Sequence, residues 1–377
     1  MTDTLLDVLP YFGGTLLITV SGKNLAAPGR RVPKIPSSVK RILVRYRVDE
    51  GMYPELMNDI LSACSGAAEL DVSGCKLLKD EDFSLLGNSV RLIMRKCNQN
   101  SITDVAFQHL SSLSQLDMSH CSQSEISSKA FEHLSNLSGL NMSYCCQTSI
   151  NDDTFRHLSN LTALNMEGCR QETITSDAFL HLSHLRELRM WGCKQSTISD
   201  TAFRHVPQLT RLEIAGCSQE SISDQAFSHL TNLVHLNIRG CHQHSITDTA
   251  FTYLSALTRL NMRSCKQPTI TNCALEKLSR LSSLDISYCE QHTITDQAFR
   301  NLSQLSRLEM VGCSKYTISP AAFSTLKNLV YLDIRECTQL QDVDIGVDSL
   351  PNLQELLRDG MEPEPKFGRE RPTCQCM

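Results

Sequence analysis

The chain has 377 residues, a formal net charge of −5, 41% hydrophobic residues and 17 cysteines. Single hydrophobic cores usually stop growing near ~250–300 residues, so this length implies two or three domains unless the chain is a repeat array. The slightly acidic balance argues against a nucleic-acid partner held by phosphate neutralisation, and no uncharged apolar run approaches the roughly 18 residues that cross a membrane.

Residues 1–64 are predicted to form atypical repeats that cap one end of the chain. Their apolar residues predict a short helix over Thr2–Leu9 and strands at Leu16–Ile18 and Ile42–Val44. Repeat arrays need such caps because an uncovered sheet edge would pair with another chain. The segment Lys23–Arg47 holds eight basic residues and no acidic one. A solvated cap is favoured there over contact with an anionic partner or a membrane surface.

The spacing of the cysteines indicates a repeat, and their expected unpaired state bears on the cellular compartment. Eleven of them recur at steps of 24 residues, namely Cys97, Cys121, Cys145, Cys169, Cys193, Cys217, Cys241, Cys265, Cys289, Cys313 and Cys337. A disulfide framework would show irregular spacings, so we expect buried thiols that pack as small apolar groups. Disulfides and bound metal are the alternatives. Unpaired thiols, together with an N-terminus that lacks the basic start of a signal peptide, predict a cytoplasmic protein.

One repeat is represented by the segment Ile102–Cys121. Its second half alternates apolar Leu116 and Met118 with polar residues, which is typical of a strand with one buried face. Its first half spaces Ala106, Phe107 and Leu110 as in a helix, after a start at which Thr103 or Asp104 would act as the cap. Such a unit buries its apolar side chains only by stacking on its neighbours.

The frame L-x-x-L-x-M/I-x-x-C followed by I-T-D-x-A-F-x-x-L resembles the cysteine-containing subclass of the leucine-rich repeat family. The resemblance covers residues 65–357 and implies an α/β fold, a right-handed solenoid with a curved parallel sheet inside and short helices outside. Residues 65–357 are then an array of 24-residue units. Residues 358–377 lose the apolar rhythm and are predicted to be a disordered tail.

The sequence contains no catalytic constellation. It lacks a complete phosphate loop, Gly-x-Ser-x-Gly, His-Glu-x-x-His and Cys-x-x-Cys. We therefore expect no enzymatic activity, no cofactor and no metal site. A glutamine that recurs with the repeat, as at Gln99 and Gln123, predicts a ladder of loop hydrogen bonds.

Candidate binding residues are at positions where the residue type differs from one repeat to the next, although the pattern of apolar residues around them is constant. Strand positions outside the core face the concave surface, and the only Trp, Trp191, lies in the middle of the array. Trp, Tyr and Arg are enriched at binding hot spots; the alternative is a scattered polar surface with one exposed aromatic. The predicted partner-binding residues are Tyr144, Glu167, Glu187, Arg189, Trp191, Arg211, Glu213, His235, Arg239 and Arg263.

The chain ends Cys374-Gln375-Cys376-Met377, which resembles a farnesylation box at Cys374. Membrane contact is expected only if Cys374 carries a prenyl group, and one such chain anchors weakly.

Three functions follow from these observations. The first is a monomeric intracellular scaffold that binds a protein. The second comes from the resemblance, because the cysteine-containing subclass is best known from F-box substrate receptors of ubiquitin ligases; however, Leu16–Val20 is predicted as a strand where an F-box is helical. The third is a secreted or surface recognition protein, which would contain oxidised cysteines.

Overall fold

The computed structural model describes residues 6–11, 15–20, 41–46, 54–217, 219–289, 291–313, 318–341 and 343–360. The chain divides into two compact units, Met1–Leu209 and Thr210–Met377, called here the first and the second unit.

The described residues of the first unit form nine strands. Apart from β1, which runs antiparallel to β2, consecutive strands from β2 to β9 pair in parallel. The strands are β1 (Leu6–Tyr11), β2 (Thr15–Val20), β3 (Arg41–Tyr46), β4 (Glu69–Asp71), β5 (Arg91–Ile93), β6 (Gln115–Asp117), β7 (Gly139–Asn141), β8 (Ala163–Asn165) and β9 (Glu187–Arg189). The α-helices are α1 (Pro54–Cys64), α2 (Asp104–Phe107), α3 (Asp153–Arg156) and α4 (Asp200–Arg204), with 3₁₀ turns at Asp80–Leu86, Ser128–Phe131 and Ser176–Phe179.

The N-terminal prediction is partly wrong. Leu6–Tyr11 is a strand that pairs residue by residue with β2, so the predicted helix over Thr2–Leu9 does not form at Leu6–Leu9. A helix of that length is marginal in water, whereas pairing with a neighbouring strand provides partners for the backbone groups of the segment that face that strand. The strands predicted at Leu16–Ile18 and Ile42–Val44 are present as β2 and β3. Most of the basic segment Lys23–Arg47 lies outside the described residues.

The second unit repeats the same arrangement. Its strands pair in parallel throughout, in the order β10 (Arg211–Glu213), β11 (His235–Asn237), β12 (Arg259–Asn261), β13 (Ser283–Asp285), β14 (Arg307–Glu309), β15 (Tyr331–Asp333) and β16 (Glu355–Leu357). Its helices are α5 (Asp224–Phe227), α6 (Asp248–Thr252) and α7 (Asn272–Glu276), with 3₁₀ turns at Asp296–Phe299, Pro320–Phe323, Thr338–Leu340 and Val347–Ser349.

The core of each unit follows the predicted spacing. In the repeat that contains α2 and β6, Phe107, Leu110, Leu116 and Met118 are buried. Successive phenylalanines stack, with ring centroids 6.2 Å apart between Phe107 and Phe131. Each such fully buried side chain stabilises the fold by roughly 1.5–3 kcal/mol. The fold class predicted from the sequence, a solenoid of parallel strands and short helices, is confirmed in each unit.

Thr103, and not Asp104, caps its helix. The Thr103 hydroxyl accepts a hydrogen bond from the Val105 N–H at 3.2 Å. The Asp104 carboxylate instead accepts from the backbone N–H and the hydroxyl of Ser127, one repeat further on. A row of carboxylates on the helical side therefore ties neighbouring repeats together.

The cysteines of the repeat are buried free thiols. Cys121 donates to the carbonyl of Met94 at 3.2 Å, and Cys145 donates to that of Met118 at 3.2 Å. Each thiol thus satisfies a strand carbonyl of the preceding repeat. Burial raises the pKa of the Cys121 thiol to about 12.

The glutamine ladder forms only in part. Gln99 donates from Nε2 to the Cys75 carbonyl at 2.9 Å, and Gln123 bonds in the same way to Cys97. Gln147 and Gln243 are buried, whereas Gln99 is half-buried, and neither the Gln147 nor the Gln243 amide has a hydrogen-bond partner within the described part of the chain.

The described residues include no helix that is long and apolar enough to span a membrane. The C-terminal residues 361–377, with Cys374, lie outside them.

Candidate functional site

The residues that vary between repeats lie on the open face of the strands. Because side chains alternate along a strand, the Leu and Met of each repeat enter the core and the residues between them face outwards. We call the outward side chains of β5–β9 and of the residues just beyond each strand the first face. The corresponding side chains of β10–β15 form the second face. All ten predicted binding residues lie on these faces, seven of them half-buried and three exposed.

An aromatic stack borders the first face. The Tyr144 ring lies parallel to that of His120, with centroids 4.7 Å apart. Its hydroxyl donates to Glu167 at 2.8 Å, and this bond raises the pKa of the Tyr144 phenol. Tyr144 has a left-handed backbone, with φ of 57°. Left-handed backbone costs a residue with a Cβ roughly 1–2 kcal/mol. Among the ten other repeats with a cysteine at the 24-residue step, five place glycine there, at positions 168, 192, 216, 240 and 312, and five place another residue, at Lys96, His120, Ser264, Tyr288 and Glu336.

Gly168 makes room for the Tyr144 ring. A Cβ on Gly168 would lie 2.6 Å from two ring carbons of Tyr144. The same pairing recurs in the second unit, where Tyr288 lies against Gly312 at the same spacing. A large aromatic in one repeat is therefore matched by a glycine in the next.

Trp191 is half exposed, with 50% of its surface accessible, and is the most exposed large apolar residue on either face. Its backbone carbonyl accepts from the Gly168 N–H at 2.8 Å, which places it one repeat beyond Glu167. Glu187 and Arg189, on the strand leading to it, form an ion pair at 2.6 Å. Trp191 therefore adjoins a charged pair and the Tyr144–Glu167 contact.

A shallow hollow of about 340 Å³ opens on the first face. The small residues Gly139 and Ala163 line it together with Asn141 and Asn165, while Arg91, Arg95, Glu187 and Arg189 are at its borders. Its lining also includes Gln115 and Asp117 of β6, and Asp117 pairs with Arg95, so charged residues flank the small ones on both sides.

The second face is dominated by arginine. Arg211 forms an ion pair with Glu213, Arg307 with Glu309 and Arg335 with Asp333. Arg263 lies over the Tyr288 ring, 4.7 Å from its centroid. His235 and Arg259 are opposite one another in the register of β11 and β12, and Arg239 is exposed beside them.

The structure brings together some of the predicted residues in pairs. Tyr144 contacts Glu167, Glu187 contacts Arg189 and Arg211 contacts Glu213. The predicted list leaves out His120, Tyr288 and Arg259, which stack on Tyr144, contact Arg263 and lie opposite His235, respectively. Each follows from its place in the repeat: His120 and Tyr288 replace glycine at the left-handed position, and Arg259 is the neighbour of His235.

The described residues contain no group of three or more His, Cys, Asp or Glu side chains that could hold a metal ion. Burial raises the pKa of the Cys97, Cys121, Cys145 and Cys169 thiols, which makes these four cysteines poor nucleophiles near neutral pH.

Sequence comparison identifies the repeat. The family described as a BspA type leucine rich repeat region matches residues 196–330 in six copies, and the leucine rich repeat family matches residues 122–171. No curated protein matches the chain.

Solved structures share the fold. TLR13 in a complex with ssRNA13 has a TM-score of 0.62 at 20% identity, over 85% of this chain and 51% of that one. Toll from Drosophila, in its complex with Spatzle, has a TM-score of 0.56 at 17% identity, over 80% and 44%. The internalin inlF of Listeria monocytogenes has a TM-score of 0.59 at 21% identity, over 81% and 88%. The chain spans about half the length of the TLR13 chain that it matches, and at these identities the likeness concerns the fold alone.

Proposed function

We propose that this chain, a leucine-rich repeat protein, is a non-enzymatic scaffold that binds a protein partner on the open, concave-side face of its strands. The observation that carries the proposal is Trp191, half exposed beside the Glu187–Arg189 pair. Large aromatic residues dominate binding energy when a partner covers them. In the first unit, Trp191 would be the centre of the contact.

The surroundings of Trp191 support a protein ligand. The hollow on the first face has small residues at Gly139 and Ala163, with charged residues on either side of them. A partner side chain would enter the hollow while Trp191 and Tyr144 pack against the surface around it. A buried aromatic contact with a polar rim is the usual anatomy of a protein interface.

Affinity capture with the full chain tests this proposal. Trp191→Ala should reduce recovery of the captured partner at least tenfold, while its free energy of unfolding changes by less than ~1 kcal/mol because the residue is half exposed. Leu180→Ala is the matched control: Leu180 is 46% exposed in the first unit but follows a 3₁₀ turn on the helical side. Equal recovery with Trp191→Ala and the native chain would contradict the proposal.

A ubiquitin-ligase receptor is the second reading of the same scaffold. It requires residues 1–64 to bind the adaptor that recognises F-boxes. In the described part of that segment, β1, β2 and β3 are strands and α1 is the helix, so the structure adds no support for it. Co-purification of that adaptor with the full chain would favour the ligase function.

We further propose a cytoplasmic location and a monomeric state. The support is chemical: the described cysteines are free, and the buried ones donate to backbone carbonyls. Thiol titration of freshly isolated, denatured protein tests the location, because a secreted form would have lost free thiols to disulfides. Intact mass spectrometry tests the prenyl group proposed at Cys374, and light scattering tests the monomer.

A further inference from the structure

Three arginines on two adjacent strands of the second face form no ion pair among the described residues. They are Arg239, just beyond β11, and Arg259 and Arg263, at the start of β12 and just beyond it. Arg239 and Arg259 are exposed, and Arg263 is half-buried under its contact with the Tyr288 ring.

Strand geometry fixes the size of this cluster. Parallel pairing aligns His235 with Arg259 and Asn237 with Asn261, so Arg239 and Arg263 occupy equivalent places in adjacent repeats, about 4.8 Å apart along the backbone. Arg259 and Arg263 are four residues apart, which corresponds to about 13 Å along an extended chain. Residues spaced in this way share one face of a strand.

The other arginines of the second face are neutralised. Arg211, Arg307 and Arg335 each bond a carboxylate two residues away on their own strand, respectively Glu213, Glu309 and Asp333. On β11 and β12 the residues in the position of those carboxylates are Asn237 and Asn261. The positive charge of Arg239, Arg259 and Arg263 is therefore left uncompensated by the strands that carry them.

The two asparagines add hydrogen-bond donors to the cluster. The Oδ1 atom of Asn237 accepts a hydrogen bond from the backbone N–H of Arg239, and the Oδ1 atom of Asn261 accepts one from the backbone N–H of Arg263, each at 3.0 Å. These bonds occupy the acceptor atoms and leave the Nδ2 groups as donors. Asp285, on the adjacent strand β13, accepts from the backbone N–H of Ser287 at 2.9 Å; burial raises the pKa of its carboxyl, and the charge of Arg263 opposes that rise without forming an ion pair.

We propose that Arg239, Arg259 and Arg263 form a docking site for an acidic, extended segment of a protein partner. The inference rests on the proposed scaffold function and names the chemistry of its ligand. Guanidinium groups bind carboxylates through paired N–H donors, and carboxylates four residues apart on an extended segment would reach Arg259 and Arg263 together. The asparagine Nδ2 groups would donate to the peptide carbonyls between them.

A nucleic acid is the less favoured ligand for this cluster. The chain as a whole carries a net charge of −5, which repels a polyphosphate at long range, and the Tyr288 ring is occupied by Arg263 rather than open for base stacking. A short acidic peptide needs only the local cluster, and its binding is less affected by the distant charges because salt screens them.

Binding of a fluorescent oligoglutamate peptide to the full chain tests the proposal, with oligolysine and oligouridylate as comparison probes. The native chain should bind oligoglutamate, and the triple variant Arg239→Gln/Arg259→Gln/Arg263→Gln should weaken binding by about tenfold or more. The matched control Lys277→Gln/Arg280→Gln/Arg300→Gln removes the same charge from exposed residues outside the second face of the same unit and should bind as the native chain does.

The outcomes separate this inference from the scaffold function. Equal binding by the two triple variants, or no binding of oligoglutamate, overturns the acidic-segment site, whereas loss of partner capture in Trp191→Ala still supports the scaffold. Preference for oligouridylate that depends on the three arginines would overturn the inference in favour of a nucleic acid. If the triple variant does not fold, the exposed single change Arg259→Glu, which reverses one charge, should still weaken oligoglutamate binding.

Discussion

The hydroxyl of Tyr144 donates a 2.8 Å hydrogen bond to Glu167 in the next repeat, although Tyr144 has a left-handed backbone, which in five other repeats is occupied by glycine. The fold thus keeps an exposed aromatic ring at a position where the backbone disfavours it. Strained residues with exposed side chains often mark functional surfaces, and several measurable consequences follow from this pair and from the ladders beneath it.

Tyr144→Gly should leave stability unchanged or raise it by up to ~1 kcal/mol, because glycine removes the left-handed strain while one partly exposed hydrogen bond is lost. Partner capture should fall if Tyr144 belongs to the contact. Urea unfolding measures the first effect and affinity capture the second. Tyr144→Phe is the control, since it keeps the strain and removes only the hydroxyl; stability lower in Tyr144→Gly than in Tyr144→Phe would contradict the strain argument.

Gly168→Ala should destabilise the first unit more than Gly192→Ala. Both glycines have φ of 65°, but a Cβ at Gly168 meets the Tyr144 ring at 2.6 Å, whereas at Gly192 nothing lies within 4 Å. In both alanine variants the left-handed backbone costs roughly 1–2 kcal/mol. The additional destabilisation of Gly168→Ala therefore measures the steric contact with the Tyr144 ring. Adding Tyr144→Ala to each variant completes a double-mutant cycle. An excess that survives this addition would show that the ring is not its cause.

Asp248→Asn should lower the free energy of unfolding by less than ~1 kcal/mol, and Asp248→Ala should lower it by about 1–3 kcal/mol. Asp248 accepts from the N–H and the hydroxyl of Thr271 in the next repeat, at 2.7 and 2.6 Å. In the next repeat, an asparagine occupies the equivalent position: Asn272 accepts a hydrogen bond from the backbone N–H of Thr295 and donates one to its hydroxyl. Thermal unfolding compares the variants, and equal losses for Asn and Ala would rule out the carbonyl oxygen as the essential acceptor.

Gln243→Met should be neutral or stabilising, whereas Gln99→Met should destabilise by ~1 kcal/mol. Both glutamines hold the same place in the repeat. The Gln99 amide bonds the Cys75 carbonyl, while the fully buried Gln243 amide has no partner among the described residues. Removing a buried polar group that makes no bond removes a desolvation cost. Equal destabilisation by the two changes in urea would show that the Gln243 amide is satisfied in solution.

Alkali should unfold the protein through its buried thiols. Burial raises the pKa of Cys64 and Cys121 to about 12, above the ordinary value of 9.0. Below pH 9.0 the thiols are protonated in both the folded and the unfolded chain, so their contribution to stability is fully present there. As the pH rises from 9.0 towards 12, only the unfolded chain releases the thiol protons, and the free energy of unfolding falls. Urea midpoints across this range should fall less in Cys64→Ala/Cys121→Ala than in the control Cys146→Ala/Cys273→Ala, whose cysteines are exposed. Identical slopes would exclude the thiols as the cause.

The repeat itself could be predicted from the sequence because its signals are local. The alternation around Leu116 and Met118 defines one buried face of a strand, and the spacing of Ala106, Phe107 and Leu110 defines a helical turn. The period of 24 residues then requires neighbours to stack. These features predict the fold class, the burial of the repeat cysteines and the outward-facing positions at which Trp191, Arg239 and Arg263 lie.

The contacts between repeats depended on the tertiary structure. Asp104 bonds Ser127 instead of capping its own helix, and Gln99 finds the Cys75 carbonyl, because these partners are 23 and 24 residues away in the chain but adjacent in the stack. The strand at Leu6–Tyr11 likewise exists because β2 lies beside it. Periodicity fixes where a side chain faces, whereas its partner is set by a neighbour that only folding brings within hydrogen-bond distance.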